Sequence, residues 1–250
     1  MSSHPLELAP PIVELRQYLL QRGRRDELIE LFDREFVETQ EALGIRVIGQ
    51  FRDVDRRNHF VWLRGFRDHR GRGQALASFY GGPVWGRHGA AANATMIDSD
   101  DVHQLRAIAE PDEQLRIRHP HDRDADGNRG SILIVVSHRR CHDDNELIRG
   151  LLIPTVEEAG VRTLGLYATD AVANSFPALP VRPANVLVWI AAGDTLDTLD
   201  EAAQQVSIAR RRLAAHARTN GHDEVLLDVL RLEPTRRSCL NGTDSSSRLL

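Results

Sequence analysis

Alternation of apolar and polar positions marks the first element. Residues 12–20, Ile-Val-Glu-Leu-Arg-Gln-Tyr-Leu-Leu, predict a strand with Val13, Leu15 and Leu19 on one face and Glu14, Arg16 and Tyr18 on the other. Residues 24–43 change to helical spacing, placing Leu28, Leu31, Phe32, Phe36 and Leu43 on one stripe, and Gly44 follows as a stop. Two apolar runs, 45–52 and 60–66, flank a polar stretch and predict a hairpin. A second helical region begins near Arg72, runs through Leu76 and Phe79, breaks at Gly81-Gly82-Pro83, and resumes over residues 84–92, because proline after two glycines cannot continue the helix. A short strand over 102–108 completes the order β-α-β-β-α-β.

The same order recurs as strand 132–137, helix 145–159, strands 161–168 and 185–191, helix 196–218 and strand 224–232. Gly44-Ile-Arg-Val-Ile-Gly-Gln-Phe51 aligns with Gly160-Val-Arg-Thr-Leu-Gly-Leu-Tyr167, and each follows a helix that opens on Glu-Leu-Ile at Glu27 or Glu146. A duplicated unit is therefore expected. The β-α-β-β-α-β unit is the ferredoxin-like plait, a four-stranded antiparallel sheet with both helices on one face and one face bare. The fold class expected is α+β: two tandem ferredoxin-like domains, 12–109 and 131–233, packed sheet to sheet as an intramolecular alpha-beta barrel that also shields the edge strands. Residues 110–130 read as a charged linker and 234–250 as a polar tail, neither contributing to a core.

Composition narrows the chemistry. The 250 residues are 41% hydrophobic and 27% charged, so a sizeable core is affordable, and the net charge of −4 gives no field for nucleic acid or an anionic membrane. All 32 basic residues are arginine. Without lysine there is no Schiff base and no P-loop lysine, and arginine cannot act as a base. Two cysteines, Cys141 and Cys239, make no disulfide framework, the first residues lack a signal-peptide pattern, and no apolar run approaches the roughly 20 residues of a membrane span. A cytoplasmic protein is expected.

Three segments, Glu14-Leu-Arg16-Gln-Tyr18, Phe60-Val-Trp62-Leu-Arg64-Gly65-Phe66 and Phe79-Tyr80-Gly81-Gly82-Pro83-Val84-Trp85, resemble those of the NIPSNAP family in the same order, over roughly residues 12–107. The resemblance implies the dimeric alpha-beta barrel superfamily, which includes small cofactor-independent monooxygenases, isomerases and haem-dependent enzymes. It implies fold more firmly than function. The tandem copy suggests that one chain supplies both halves of a barrel that shorter relatives assemble from two.

Glu14, Arg16 and Tyr18 on strand one should meet Trp62 and Arg64 on its neighbour strand. That set suits either a structural network stitching the two sheets together or a pocket in which Arg16 or Arg64 holds an anionic oxygen, Tyr18 relays a proton and Trp62 forms a wall. Tyr80, Trp85 and His88 flank the helix break, a candidate substrate mouth, with His88 the natural base near neutral pH. His59 could overhang the pocket, and Asn93 could donate to a substrate oxygen or act as a cap. The catalytic candidates are Arg16, Tyr18, Arg64, Tyr80 and His88; those for binding are Glu14, His59, Trp62, Trp85 and Asn93. No metal is expected: Asp122-Arg-Asp124-Ala-Asp126-Gly127-Asn128 lacks the closing glutamate of a calcium loop, and His138, Cys141, His142 and Asp143 lack a second cluster. Gly71-Arg-Gly73-Gln-Ala-Leu76 lacks the third glycine and parallel setting of a dinucleotide site.

Together with the resemblance, these residues point to an enzyme acting without a bound cofactor on a small apolar, aromatic or polyketide-like molecule, by oxygenation or proton-transfer rearrangement. A non-enzymatic binding or interaction module is the rival reading, and a haem barrel with His88 as axial ligand the third. A second copy of the chain is a candidate partner. The second half lacks the Tyr-Gly-Gly-Pro run, so one working pocket is expected, in the first half.

Overall fold

The computed structural model describes residues 4–108, 114–122, 129–138, 144–220 and 226–243. In the first half, β1 (Ile12–Leu20) leads into a long helix, α1, built from Arg25–Leu31, a π turn at Phe32–Phe36, and Val37–Ala42. Strands β2 (Arg46–Asp53) and β3 (His59–Phe66) form the hairpin. Helices α2 (His69–Tyr80) and α3 (Pro83–Asn93) follow, then β4 (Met96–Ala107). The second half repeats the order with β5 (Ser131–His138), α4 (Asp144–Leu147, a π turn at Ile148–Leu152, and Ile153–Glu157), β6 (Arg162–Thr169), β7 (Val186–Gly193), α5 (Leu196–Asn220) and β8 (Leu226–Pro234).

Neighbouring strands run β2-β3-β1-β4-β6-β7-β5-β8, and β8 returns to β2 to close an eight-stranded antiparallel barrel. Each half contributes a plait in the ferredoxin-like order. The edges meet in two short seams, Leu105–Ala107 against 167–169 and Leu232–Pro234 against 51–53. No plait edge is left as an open template for pairing. The halves also share irregularities: both first helices carry the π turn, and both second strands bulge before a glycine, Gly49 or Gly165. A Cβ at Gly49 would sit 2.5 Å from the Phe51 ring and one at Gly165 3.0 Å from the Tyr167 ring, so each glycine makes room for the aromatic ring two residues on.

Every barrel strand has two faces with different partners. Val13, Leu15, Val61, Leu63, Ile134 and Ile190 turn into one apolar lumen shared by both halves. Alternate residues of β1 and β3 face α1, α2 and α3, and those of β5 and β7 face α4 and α5. The two bare faces do meet, but the lumen is packed with side chains and is not where the polar set lies.

Three expectations need correction. Residues 110–130 and 234–250 do contribute to the core: Leu115, Ile117, Cys239 and Leu240 are buried in the luminal cluster. Ala9 N donates to Leu115 O and Arg118 N to Cys239 O, which pins both segments. Their charged surroundings hid a few apolar anchors. The last strand of the first half is much longer than 102–108, because residues 96–101 also pair along β1, through two register shifts. The tail packs on the first half as well, where Thr235 N donates to Gln50 O.

If the tail is core, Leu240→Ala should destabilise the protein by about 2–5 kcal/mol in denaturant unfolding. A change within about 0.5 kcal/mol, as for a surface substitution, would place Leu240 outside it.

Candidate functional site

The register of β1 on β3 sets Glu14 opposite Arg64 and Arg16 opposite Trp62, all on the helix-facing side. Helix α2 adds Arg72, one and two turns before Leu76 and Phe79 on its buried stripe. Glu14 is the hub: Arg16 Nη1 donates to Oε2 at 2.7 Å, Arg64 Nε to the same oxygen at 2.8 Å, and Arg72 Nε to Oε1 at 2.7 Å. Glu14, Arg64 and Arg72 are wholly buried and Arg16 is 1% exposed. The network thus joins sheet to helix within the first half, and does not stitch the two sheets together.

One carboxylate faces three guanidiniums, so this dry cluster carries two uncompensated positive charges. Arg64 Nη1, Arg72 Nη2 and Trp62 Nε1 are buried donors with no acceptor. Burial alone would push the Glu14 carboxyl up, but Arg64, Arg16 and Arg72 more than reverse this and hold it well below its ordinary value of 4.5. Tyr18 Oη accepts from Arg16 Nε at 2.9 Å, leaving its own proton to donate. Burial raises the Tyr18 phenol above its ordinary 10.0, against the pull of Arg16 and with Tyr80 adding to the rise, so it stays protonated. Its setting makes it a donor.

Aromatic rings wall the cluster. Arg16 lies over the Tyr18 and Trp62 rings at 5.5 and 5.6 Å, and Arg64 over Trp62 at 5.2 Å. Tyr80 is close enough to act electrostatically on both Arg16 and Tyr18, and its ring meets Trp85 edge-on at 4.7 Å. The structure therefore brings Glu14, Arg16, Tyr18, Trp62, Arg64, Tyr80 and Trp85 into one region.

It does not bring in the other three. His88 Nε2 lies 3.4 Å from Glu35 Oε2 on α1, and no described contact links it to the arginines. His59 alternates with Phe60 and Trp62 and so belongs to the opposite, luminal face, near Asp53 and Asp101. Asn93 is exposed at the end of α3. Cys141, His142, Asp143 and residues 123–128 lie outside the described residues, and among the described residues no three His, Cys, Asp or Glu side chains could hold a metal.

Sequence reasoning missed the contribution of the second half. The β6–β7 connection, residues 170–185, crosses to the first half, where Arg72 Nη1 donates to Asn174 Oδ1 at 2.8 Å and to Ser175 Oγ at 3.0 Å. Phe176 lies over Tyr80 with ring centroids 6.0 Å apart and planes 18° apart. A cavity of about 500 Å³ opens beneath this connection, with Gln104, Asp170 and Asn174 in its lining. Gln104 sits opposite Glu14 in register, and its Oε1 is buried without a partner. The cavity is therefore one residue away from the arginine cluster. Arg72 was legible as a lone cation on an apolar helical stripe. The only hint of the crossing segment was that it is much longer than the matching connection, residues 54–58.

The second half serves as an internal control. Matching the two registers puts Leu133, Val135, Ser137 and Ala191 where the first half has Glu14, Arg16, Tyr18 and Arg64, while Trp189 matches Trp62. Trp189 Nε1 donates to Thr163 Oγ1 at 2.8 Å, and the residue matching Thr163 is Val47, so Trp62 is left without that acceptor. The frame thus packs without the charges.

Replacing Glu14 alone strands three buried cations, so Glu14→Gln should cost about 3–5 kcal/mol at neutral pH. A lowered folded-state pKa contributes stability above pH 4.5 that is lost as pH falls, so the gap between wild type and Glu14→Gln should close in acid. The fourfold change Glu14→Leu, Arg16→Val, Arg64→Ala, Arg72→Leu should fold and be more stable than Glu14→Gln; failure to fold would make the network structural.

No protein-family model matches the sequence, and no curated protein matches it. Among solved structures, an anthrone oxidase-like protein covers 92% of this chain and 94% of its own at 11% identity with a TM-score of 0.54. A candidate monooxygenase from Fusobacterium nucleatum covers 94% and 96% at 10% identity with a TM-score of 0.52. A NIPSNAP-like domain protein from Burkholderia xenovorans is 26% identical over 37% of this chain and 79% of its own, with a TM-score of 0.33. At these identities the full-length matches speak for the fold. With its two plaits joined edge to edge, this chain has the fold of the dimeric alpha-beta barrel proteins, both halves carried on one polypeptide.

Proposed function

We propose that the first half is the active site of an enzyme that ionises a small aromatic, enolisable molecule and carries it through oxygenation or proton-transfer rearrangement without a bound cofactor. One observation carries the reading: three buried guanidiniums share a single carboxylate, Arg64 and Arg72 keep donors unpaired, and the second half has Leu133, Val135 and Ala191 at the positions of Glu14, Arg16 and Arg64. Preorganised donors in a dry site stabilise developing negative charge, because they need no reorganisation when the charge appears. An enolate or phenolate oxygen would meet Arg64 Nη1 and Arg72 Nη2, with the Tyr18 hydroxyl as proton donor and Trp62 and Tyr80 against the ring. The monooxygenase and oxidase names among the fold neighbours agree with this reading at the level of fold.

In the oxygenation, an activated methylene and molecular oxygen give a carbonyl and water: one oxygen atom forms the C=O bond, and both methylene hydrogens leave with the other. No external reductant is needed. In the rearrangement, the proton leaves one carbon and returns at another, with the anion held between the two steps.

The haem alternative finds less support. The histidine it would use, His88, lies beside Glu35, and the rings of Phe36, Phe79, Tyr80 and Trp85 on the same helical layer pack on one another with centroids 4.7 to 5.7 Å apart. A Soret band in the purified protein would restore it.

Oxygen uptake and product analysis with anthrone-type ketones and phenols test the proposal. Arg64→Ala and Tyr18→Phe should each lower kcat/KM by about 10²-fold or more, as for loss of an oxyanion donor, and His88→Ala should leave it near wild type. Equal turnover in all variants would remove the site.

A further inference from the structure

By sequence the β6–β7 connection belongs to the second half, but by contact it belongs to the site of the first. Asp170 N donates to Gln104 O and Arg182 N to Val102 O, tying both ends to β4. Between these ties it reaches α2 so closely that a Cβ on Gly73 would lie 2.9 Å from Ser175 O. Asn174 organises the turn there: its Oδ1 accepts from Phe176 N at 3.0 Å and its Nδ2 donates to Leu179 O at 2.7 Å. The same Oδ1 accepts from Arg72 Nη1.

We infer that residues 174–176 are the specificity cap of the arginine site, and that Asn174 Oδ1 and Ser175 Oγ hold on Arg72 the place of a carboxylate on a planar aromatic ligand. This rests on the reading above, that the cluster takes an anion, and adds which anion and through which residues. The two oxygens now on Arg72 Nη1 are neutral, and a guanidinium binds a carboxylate more strongly than an amide or hydroxyl oxygen. Arg72 is already desolvated, so the exchange adds no burial penalty on the protein side. Asn174 also lines the neighbouring cavity of about 500 Å³, so its side chain stands between that space and Arg72. Displacing Oδ1 frees the turn that sets Phe176, so an arriving carboxylate also releases the ring lying over Tyr80, where a planar ligand would insert. Two charges beyond Glu14 are then matched by a ligand bearing a carboxylate as well as an ionisable oxygen.

Titration calorimetry and thermal shift on the full chain, with salicylate, 1-hydroxy-2-naphthoate and phenol as probes, test this. Wild type should bind the two carboxylates more tightly than phenol. Asn174→Asp places its own carboxylate on Arg72 while giving up the Nδ2 bond to Leu179 O, so it should weaken carboxylate binding by about tenfold or more. Asn174→Ala removes the competing oxygen and should bind the carboxylates at least as tightly as wild type. Equal carboxylate affinity in wild type and Asn174→Asp, or loss of binding in Asn174→Ala, would overturn the cap while leaving the anion site standing. Wild type that binds phenol but prefers no carboxylate would also overturn the cap alone. Binding of none of the three probes would overturn both.

Discussion

The strands at the centre of each plait are covered on both faces, by the shared lumen on one side and by helices on the other. This constraint governs the molecule. A side chain on β1 or β3 has no water to retreat to, so it must be apolar or have its charge matched by neighbours. The luminal positions meet the demand with branched aliphatics. The helix-facing positions of the first half meet it with a carboxylate and three guanidiniums, and meet it incompletely: buried donors remain on Arg64, Arg72 and Trp62. Buried polar groups are normally satisfied, so an incomplete network in a well-packed layer points to a missing acceptor.

The two halves of the chain differ at these positions. A buried ion network can often be exchanged for apolar residues with no loss of stability, and the second half presents the exchanged version on the same frame. Its bulge, π turn and tryptophan are retained, while Leu133, Val135 and Ala191 fill the charged positions. Thr163 even satisfies the tryptophan that Val47 leaves open. The second half therefore builds the same frame without the charges of Glu14, Arg16 and Arg64, and this difference between the halves is what the proposed function rests on.

Periodicity made the frame legible. Strand alternation at residues 12–20 assigned Glu14, Arg16 and Tyr18 to one face, and the hairpin placed Trp62 and Arg64 beside them, as the register shows. His59 reads as a loop residue able to overhang the pocket, but β3 begins at His59 and sets it out of phase with Trp62, on the luminal face. What could not be read were contacts set by chain reversals far away in sequence. Arg72 reaches Glu14 only because α2 lies across β1 and β3, and Asn174 reaches Arg72 only because the barrel closes. Leu115 and Leu240 were hidden because a single apolar residue in a charged stretch has no period to reveal it.

Closure of the barrel on one polypeptide also explains why the halves could diverge. In an assembly of two identical chains, each unit must supply both a site and whatever covers the partner's site. Here the features fall on different halves: the first has the charges and the short connection 54–58, and the second has Leu133, Val135 and Ala191 at the matching positions and carries the long connection 170–185. The seam between β4 and β6 is only three residue pairs long, and just beyond it β4 is left to pair with that connection rather than with β6. The cavity opens where the strands part. An early end to one ladder thus leaves a cavity lined by Gln104 and Asn174, neighbours of the buried cluster, at the junction where the second half reaches it.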